Sequence, residues 1–116
     1  ISGYLELGKN LLMGQSEFAE AWNFGPEEND TLSVRQLLLK ANTHWNKIKF
    51  IEFDDISKLH EASLLSLNID KAKKKLNWSP RWTNDIAIER TIIWYKLFYE
   101  EKIVNSSSDL NLFLKK

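Results

Sequence analysis

Few side chains in this sequence could do chemistry. His60-Glu61 sets a titratable imidazole beside a carboxylate just ahead of the apolar stretch Leu64 to Leu67, a place where a loop side chain can meet a ligand. On the residues alone, a solvated loop pair is the simpler reading. Lys71, Lys73, Lys74 and Lys75 could make a cationic patch for phosphate or nucleic acid, but no aromatic residues interleave them, and a solvated helix face accounts for them more simply. Asp54-Asp55 lacks the further oxygen ligands at regular spacing that a hard cation needs, so it reads as loop polarity. The five tryptophans could stack on a ligand; at helical or alternating positions they read as core, with Trp82 the one expected to be partly exposed.

Other chemistries are excluded by what is missing. None of Gly3, Gly8, Gly14 and Gly25 completes a G-x-G-x-x-G or G-x-x-x-x-G-K-[ST] motif, so a dinucleotide site built within this chain is not expected. Tyr4, Tyr95 and Tyr99 have no lysine four residues on, which removes a Tyr-x-x-x-Lys acid/base pair. The absence of cysteine rules out disulfides and thiolate metal sites, and His44 and His60 alone argue against structural zinc. No serine sits in a strand-turn-helix elbow, so a nucleophilic triad has no support. Sixteen basic against sixteen acidic residues leave no net field to attract nucleic acid or an anionic membrane. Apolar runs fall far short of the ~20 residues a membrane span needs, and a cytoplasmic location is the expectation. Ile1 stands directly against a helical pattern, as if the chain were cut from something longer.

These residues must be positioned by a small set of elements. Tyr4, Leu5, Leu7, Leu11 and Leu12 recur at helical spacing, with Gly14 as a stop. Trp22 and Phe24 alternate in a short strand that ends at Gly25-Pro26. Ser33-Val34-Arg35-Gln36 has the form of a capping box, opening a helix to about Asn46. Lys47 to Phe53 alternates as a second strand, and Leu64 to Leu67 is a third candidate. Asn68 or Asp70 would cap a short helix, Lys71 to Leu76, that offers Ala72 and Leu76 as a narrow contact surface. Thr83 would cap a final helix to about Lys102, carrying the apolar rows Ile86, Ile93, Leu97 and Ala87, Trp94, Phe98. Residues 1–104 thus form one α/β unit, and 105–116 a flexible tail in which Ser106 to Asp109 is a joint and Leu110, Leu112, Phe113 and Leu114 behind it either stay loose or add a short docking helix. Three short strands are a meagre sheet for so many helices, which predicts an apolar surface that packs on structure beyond these residues and a marginal isolated chain.

A set of motifs in order along the chain resembles the carboxyl-terminal part of the CDP-glucose 4,6-dehydratases, nucleotide-sugar dehydratases of the extended short-chain dehydrogenase/reductase type. These are Ser2-Gly3-Tyr4-Leu5, Glu20-Ala21-Trp22-Asn23-Phe24-Gly25-Pro26, Ser33-Val34, His60-Glu61-Ala62 with Leu65 and Leu67, Lys71-Ala72, Leu76-x-Trp78-x-Pro80-Arg81-Trp82 and Trp94-Tyr95. The Leu-x-Trp-x-Pro element is shared by many extended short-chain enzymes. Ala-Trp-Asn-Phe-Gly-Pro, His-Glu-Ala and Trp-Ser-Pro-Arg-Trp are more specific to the CDP-glucose enzymes.

The resemblance implies a two-part enzyme. An amino-terminal Rossmann domain, absent from this chain, would bind NAD and carry the catalytic residues, converting CDP-glucose to CDP-4-keto-6-deoxyglucose for deoxysugar synthesis. The present residues would form the small sugar-nucleotide-binding portion, inactive alone, with a CDP-sugar as partner and the intact protein a homodimer. It further implies that Glu61 accepts hydrogen bonds from the nucleotide ribose and that His60 beside it contacts phosphate or base. Asn23 and Gly25 would be structural residues of a turn beside the nucleotide. Ser63 and Leu64 stand where some relatives carry a phosphate-binding arginine. No catalytic, cofactor-binding or metal-binding residue is expected among these 116. A non-catalytic binding or interaction module derived from the same subdomain is the alternative.

Overall fold

The computed structural model describes residues 1–51 and 67–115, and these build helices. In chain order they are α1 (Ser2–Leu12), α2 (Val34–His44), α3 (Asp70–Leu76), α4 (Asn84–Lys96) and α5 (Ser106–Leu114), with single 3-10 turns at Ser16–Phe18 and Glu28–Asp30. The α/β architecture with short strands is therefore corrected: no strand occurs among the described residues. Glu20 to Pro26 lies open without a partner strand, and the described part of the second strand candidate, 47–51, begins within a turn in which the Ile48 amide donates to the Trp45 carbonyl at 3.1 Å. Most of the third candidate lies outside the described residues. Alternation specifies which side of a segment is covered, but a strand also needs a neighbour for its amides and carbonyls. Side chains serve that purpose here. Lys71 Nζ donates to the Ala21 carbonyl at 2.8 Å, and Asn23 Nδ2 donates to the Asn68 carbonyl at 3.5 Å.

The described chain falls into two compact units, 1–31 with 67–81, and 32–51 with 82–115. In the first, α1 ends as its apolar periodicity predicts. The amides of Met13, Gly14 and Gln15 take up its last carbonyls, and Gly14 adopts φ 81°, in the left-handed region that glycine enters without cost. Asn68 Oδ1 accepts from the Asp70 amide at 2.9 Å to open α3. That helix closes at Asn77, whose φ of 50° turns the chain so that the Trp78 amide reaches back to the Ala72 carbonyl at 3.2 Å. Ala72 (0% exposed) and Leu76 (5%) are buried with Ile69, so the narrow i,i+4 surface is the core of this unit.

In the second unit the capping box at Ser33 is complete: Ser33 Oγ accepts from the Gln36 amide at 3.2 Å, and Gln36 Oε1 accepts from the Ser33 amide at 2.8 Å. Thr83 caps α4 by accepting from the Ile86 amide at 3.4 Å. α4 runs on through one π-helical turn, Leu97–Glu101, and stops at Lys102 with φ 59°. α2 packs on α4, and Lys40 pairs with Asp85 at 2.5 Å between them. Residues 106–114 form one helix, α5, so the flexible joint expected over Ser106 to Asp109 is corrected, while Leu110 to Leu114 take the helical of the two alternatives expected for them. This helix is tied to α4 by an ion pair between Asp109 and Arg90 and by Trp94 Nε1 donating to Ser106 Oγ at 3.0 Å. No residue of α4 is fully buried, and every tryptophan is half-buried, so the expected broad core face and tryptophan core are not formed among these residues.

Candidate functional site

The two residues expected to contact a nucleotide sugar, Glu61 and His60, lie outside the described residues, as do Asp54-Asp55, Ser63 and Leu64. The structure does place the motif residues around them in sequence, and most gather in the first unit. Phe24 stands between Tyr4 and Trp78, edge-on to both, with ring centres 5.2 and 5.0 Å away. Trp78 Nε1 donates to Ser2 Oγ at 3.0 Å. Gly3 lies directly beneath the Phe24 ring, where a methyl group would come within 2.3 Å of Cδ1 and Cε1. Ser2-Gly3-Tyr4, Phe24 and Trp78, far apart in sequence, are thus one packed cluster. Their chemistry is that of a joint: the glycine admits the ring, and both tryptophan and serine are spent on each other.

The segment leading into that cluster is held by α3. Lys71 pairs with the Glu20 carboxylate, donates to the Ala21 carbonyl and stands 4.5 Å from the centre of the Trp22 ring. The hydrogen bond from Lys71, reinforced by the charges of Lys71 and Lys75, holds the Glu20 carboxyl below the usual carboxylate range. Beyond this clamp Asn23 binds the Asn68 carbonyl, and a Cβ placed on Gly25 would meet Leu67 at 3.4 Å and Ile69 at 3.6 Å. The turn at Asn23–Gly25 therefore packs along 67–69, the residues that follow the His60-Glu61 segment in the chain.

The lysine run does not form a free cationic patch. Lys73 pairs with Glu27 at 2.7 Å, a hydrogen bond that raises its pKa, Lys74 pairs with Asp70 at 3.2 Å, and Lys75 lies 3.7 Å from Glu20. Lys71, read from sequence as one of four solvated cations, is the exception in kind: it grips backbone and ring as well as a carboxylate.

The described residues do not fit a dinucleotide. Gly3-x-x-x-x-Gly8-Lys9-Asn10 falls one residue short of a phosphate-loop motif, but the whole stretch lies within α1, where successive amides bond along the helix and cannot converge on a phosphate. Gly3 and Gly25 have their open faces filled by Phe24 and Leu67, and Gly14 serves a turn. Among the described residues no group of three or more His, Asp or Glu side chains could hold a metal ion, and no helix is long and apolar enough to cross a membrane.

The second unit carries a hollow of about 350 Å³, lined by Trp82, Trp94, Tyr95, Arg90 and Asp109 among others. Arg90 donates to Asp109 Oδ1 from both Nε, at 2.8 Å, and a terminal nitrogen. The guanidinium is committed to fastening α5, and the hollow is an open dent beside that fastening. Sequence reading missed both this pair and Asn77; the signal for the latter was an asparagine directly after an apolar-periodic turn.

No protein-family model matches this chain. The chain is similar to CDP-glucose 4,6-dehydratase of Salmonella typhimurium (strain LT2), 29% identical over 116 residues, an alignment that takes in 98% of this chain and 32% of that protein. The resemblance carried by the motifs thus extends over nearly all of the chain, which spans about a third of the length of the curated relative it matches.

Proposed function

We propose that these residues are the sugar-nucleotide-binding part of an NAD-dependent dehydratase that converts CDP-glucose to CDP-4-keto-6-deoxyglucose in the cytoplasm. The observation that carries this reading is the similarity to a CDP-glucose 4,6-dehydratase along 98% of the chain. It is supported by the way the shared motifs fit together physically: Gly3, Phe24 and Trp78 form one joint, and the Asn23–Gly25 turn packs against the residues that follow Glu61 in sequence. In this reading the chain binds and orients the nucleotide sugar and performs no redox step. NAD and the catalytic residues belong to an amino-terminal domain of the intact enzyme, in keeping with the poor fit of these glycines to a dinucleotide.

Glu61 is the contact on which the reading turns, its carboxylate accepting from the ribose hydroxyls, with His60 at the phosphate or base. In the intact enzyme Glu61→Ala weakens CDP-glucose binding by about 1–3 kcal/mol, the cost of a lost hydrogen bond to a charged group, roughly a 5- to 150-fold rise in Kd. Calorimetric titration with CDP-glucose checks it, and unchanged binding removes Glu61 from the site. The alternative, a non-catalytic interaction module, is favoured by one feature, the exposed apolar side chains of α1, which include Leu5, Leu11 and Leu12. A full-length protein that binds no CDP-sugar but retains a protein partner would establish it.

A further inference from the structure

α1 carries most of its apolar surface away from its own unit. A helix on a folded core ordinarily buries its apolar stripe and leaves charge outside. Among the residues that hold α1 in place are Gly3, which seats the Phe24 ring, and Ser2, which accepts from Trp78. Tyr4, Leu5, Leu11 and Leu12 face solvent instead, Leu5 at 69% exposure and Leu12 at 91%, and Lys9 is the one polar residue among the exposed positions of the helix. At about 100° per residue these four apolar side chains fall within about a third of the circumference, with Gly8 in the middle of them. Nothing lies within 4 Å of where a Cβ on Gly8 would stand. A glycine inside a helix weakens it relative to alanine, and no contact of Gly8 among the described residues offsets that.

An exposed apolar stripe marks an interaction surface, and one nearly free of charge suits a permanent partner, whose interface resembles a core cut in half. A glycine at its centre suits a surface that comes close to the helix backbone. Two observations say whose surface that is. The alignment with the Salmonella typhimurium dehydratase takes in 98% of this chain and 32% of that protein, so most of such an enzyme lies outside these residues. Ile1, 93% exposed, caps α1 in helical register with Leu5, Gly8 and Leu12, and an amino-terminal domain joins this part there. We propose that the stripe of α1 is the seat of that amino-terminal domain, which lays an apolar surface along Tyr4, Leu5, Leu11 and Leu12 and approaches the backbone at Gly8. This rests on the reading of the chain as part of a larger dehydratase. It also gives an owner to the face that otherwise favours an interaction module.

The test uses the full-length enzyme. The photo-crosslinking residue p-benzoylphenylalanine is placed at Leu12 and, separately, at Leu5, the protein is irradiated, and the linked peptides are identified by mass spectrometry. Links from both positions to residues amino-terminal to Ile1 of the same chain are expected, in a product with the mass of one chain. A link between two chains makes the face a contact between copies, a link confined to residues 1–116 makes it internal to this part, and no link leaves it open; each of the three overturns the inference. Gly8→Ala reads the closeness of the approach by its sign. On an open helix alanine raises the melting midpoint through helix propensity, whereas under a closely packed surface the added methyl group lowers it, by about 2–4 °C. An unchanged or raised midpoint therefore overturns the inference, and this variant decides where neither benzophenone variant folds. Calorimetric titration of the unmodified protein with CDP-glucose separates the two readings. Binding with an open or self-paired face overturns this inference alone, while no binding removes the dehydratase reading and the inference with it.

Discussion

In the first unit Ile69, Ala72 and Leu76 are buried, whereas in the second Ala41, at 3% exposure, is the one described residue that reaches that state. The first unit encloses a small apolar centre and closes it with an aromatic joint, Tyr4–Phe24–Trp78. The second is held at its edges. Trp45 stacks on Tyr99 with ring centres 6.2 Å apart and donates to Glu100 Oε1 at 3.1 Å, Lys47 pairs with Glu100 at 2.6 Å, and Arg90 fastens Asp109. Burial stabilises in proportion to area removed from water, while exposed pairs contribute little and are screened by salt. The comparison teaches that the same chain has one unit whose stability is concentrated in a few side chains and one in which it is spread over many weak contacts.

The sharpest way to break that contrast is to empty the first centre. Leu76→Ala should cost about 2–5 kcal/mol, the usual range for a buried leucine, and unfold the first unit in denaturant well before the second. Trp22 and Trp78 fluorescence, read in a background with Trp45, Trp82 and Trp94 changed to phenylalanine, reports it. A shift under ~1 kcal/mol would mean that α3 is not a core at all. Next comes Gly3→Ala. Its methyl group must displace the Phe24 ring, an overpacking expected to cost about 1–3 kcal/mol on the same signal, and Phe24→Leu in addition should restore part of it.

On the other side of the comparison, Ser33→Ala removes the capping box and should cost about 1 kcal/mol, read from the Trp45 signal of the second unit with the first unaffected. The smallest effect is that of pH, and it should touch both units alike. Glu20, hydrogen-bonded by Lys71, and Glu100, hydrogen-bonded by Lys47 and Trp45, both have folded pKa values below the ordinary one. A lowered carboxyl pKa contributes stability that is complete above the unfolded value of ~4.3 and is lost as pH falls through the folded value. Midpoints measured from pH 6 to pH 3 should therefore decline below about pH 4, less so in high salt, and Glu20→Gln should flatten the decline in the first unit alone.

Helix starts and stops were legible in the sequence because they depend on residues within one turn of each other. Ser33 with Gln36, Thr83, Gly14, and the Ala72–Leu76 spacing all act through local backbone geometry, and each is found where its residue type predicts. Strands were not legible, since alternation in Glu20–Pro26 records only that Trp22 and Phe24 are covered and says nothing about which groups receive the backbone amides and carbonyls. The motifs pointed to a nucleotide-sugar dehydratase through residue types alone, and the similarity along the chain agrees with them.

Only the tertiary structure decided what those motif residues do. That Gly3 exists to admit Phe24, that Trp78 is tied to Ser2, and that Lys71 is a clamp where its neighbours are surface cations all depend on groups separated by 21 to 76 residues in the chain. Sequence determines such residues as candidates by chemistry. Which partner each one meets is set by how α1, α3 and the segment between them close upon one another, because a hydrogen bond or a ring contact is a matter of a few ångströms and a spacing along the chain carries no such distance.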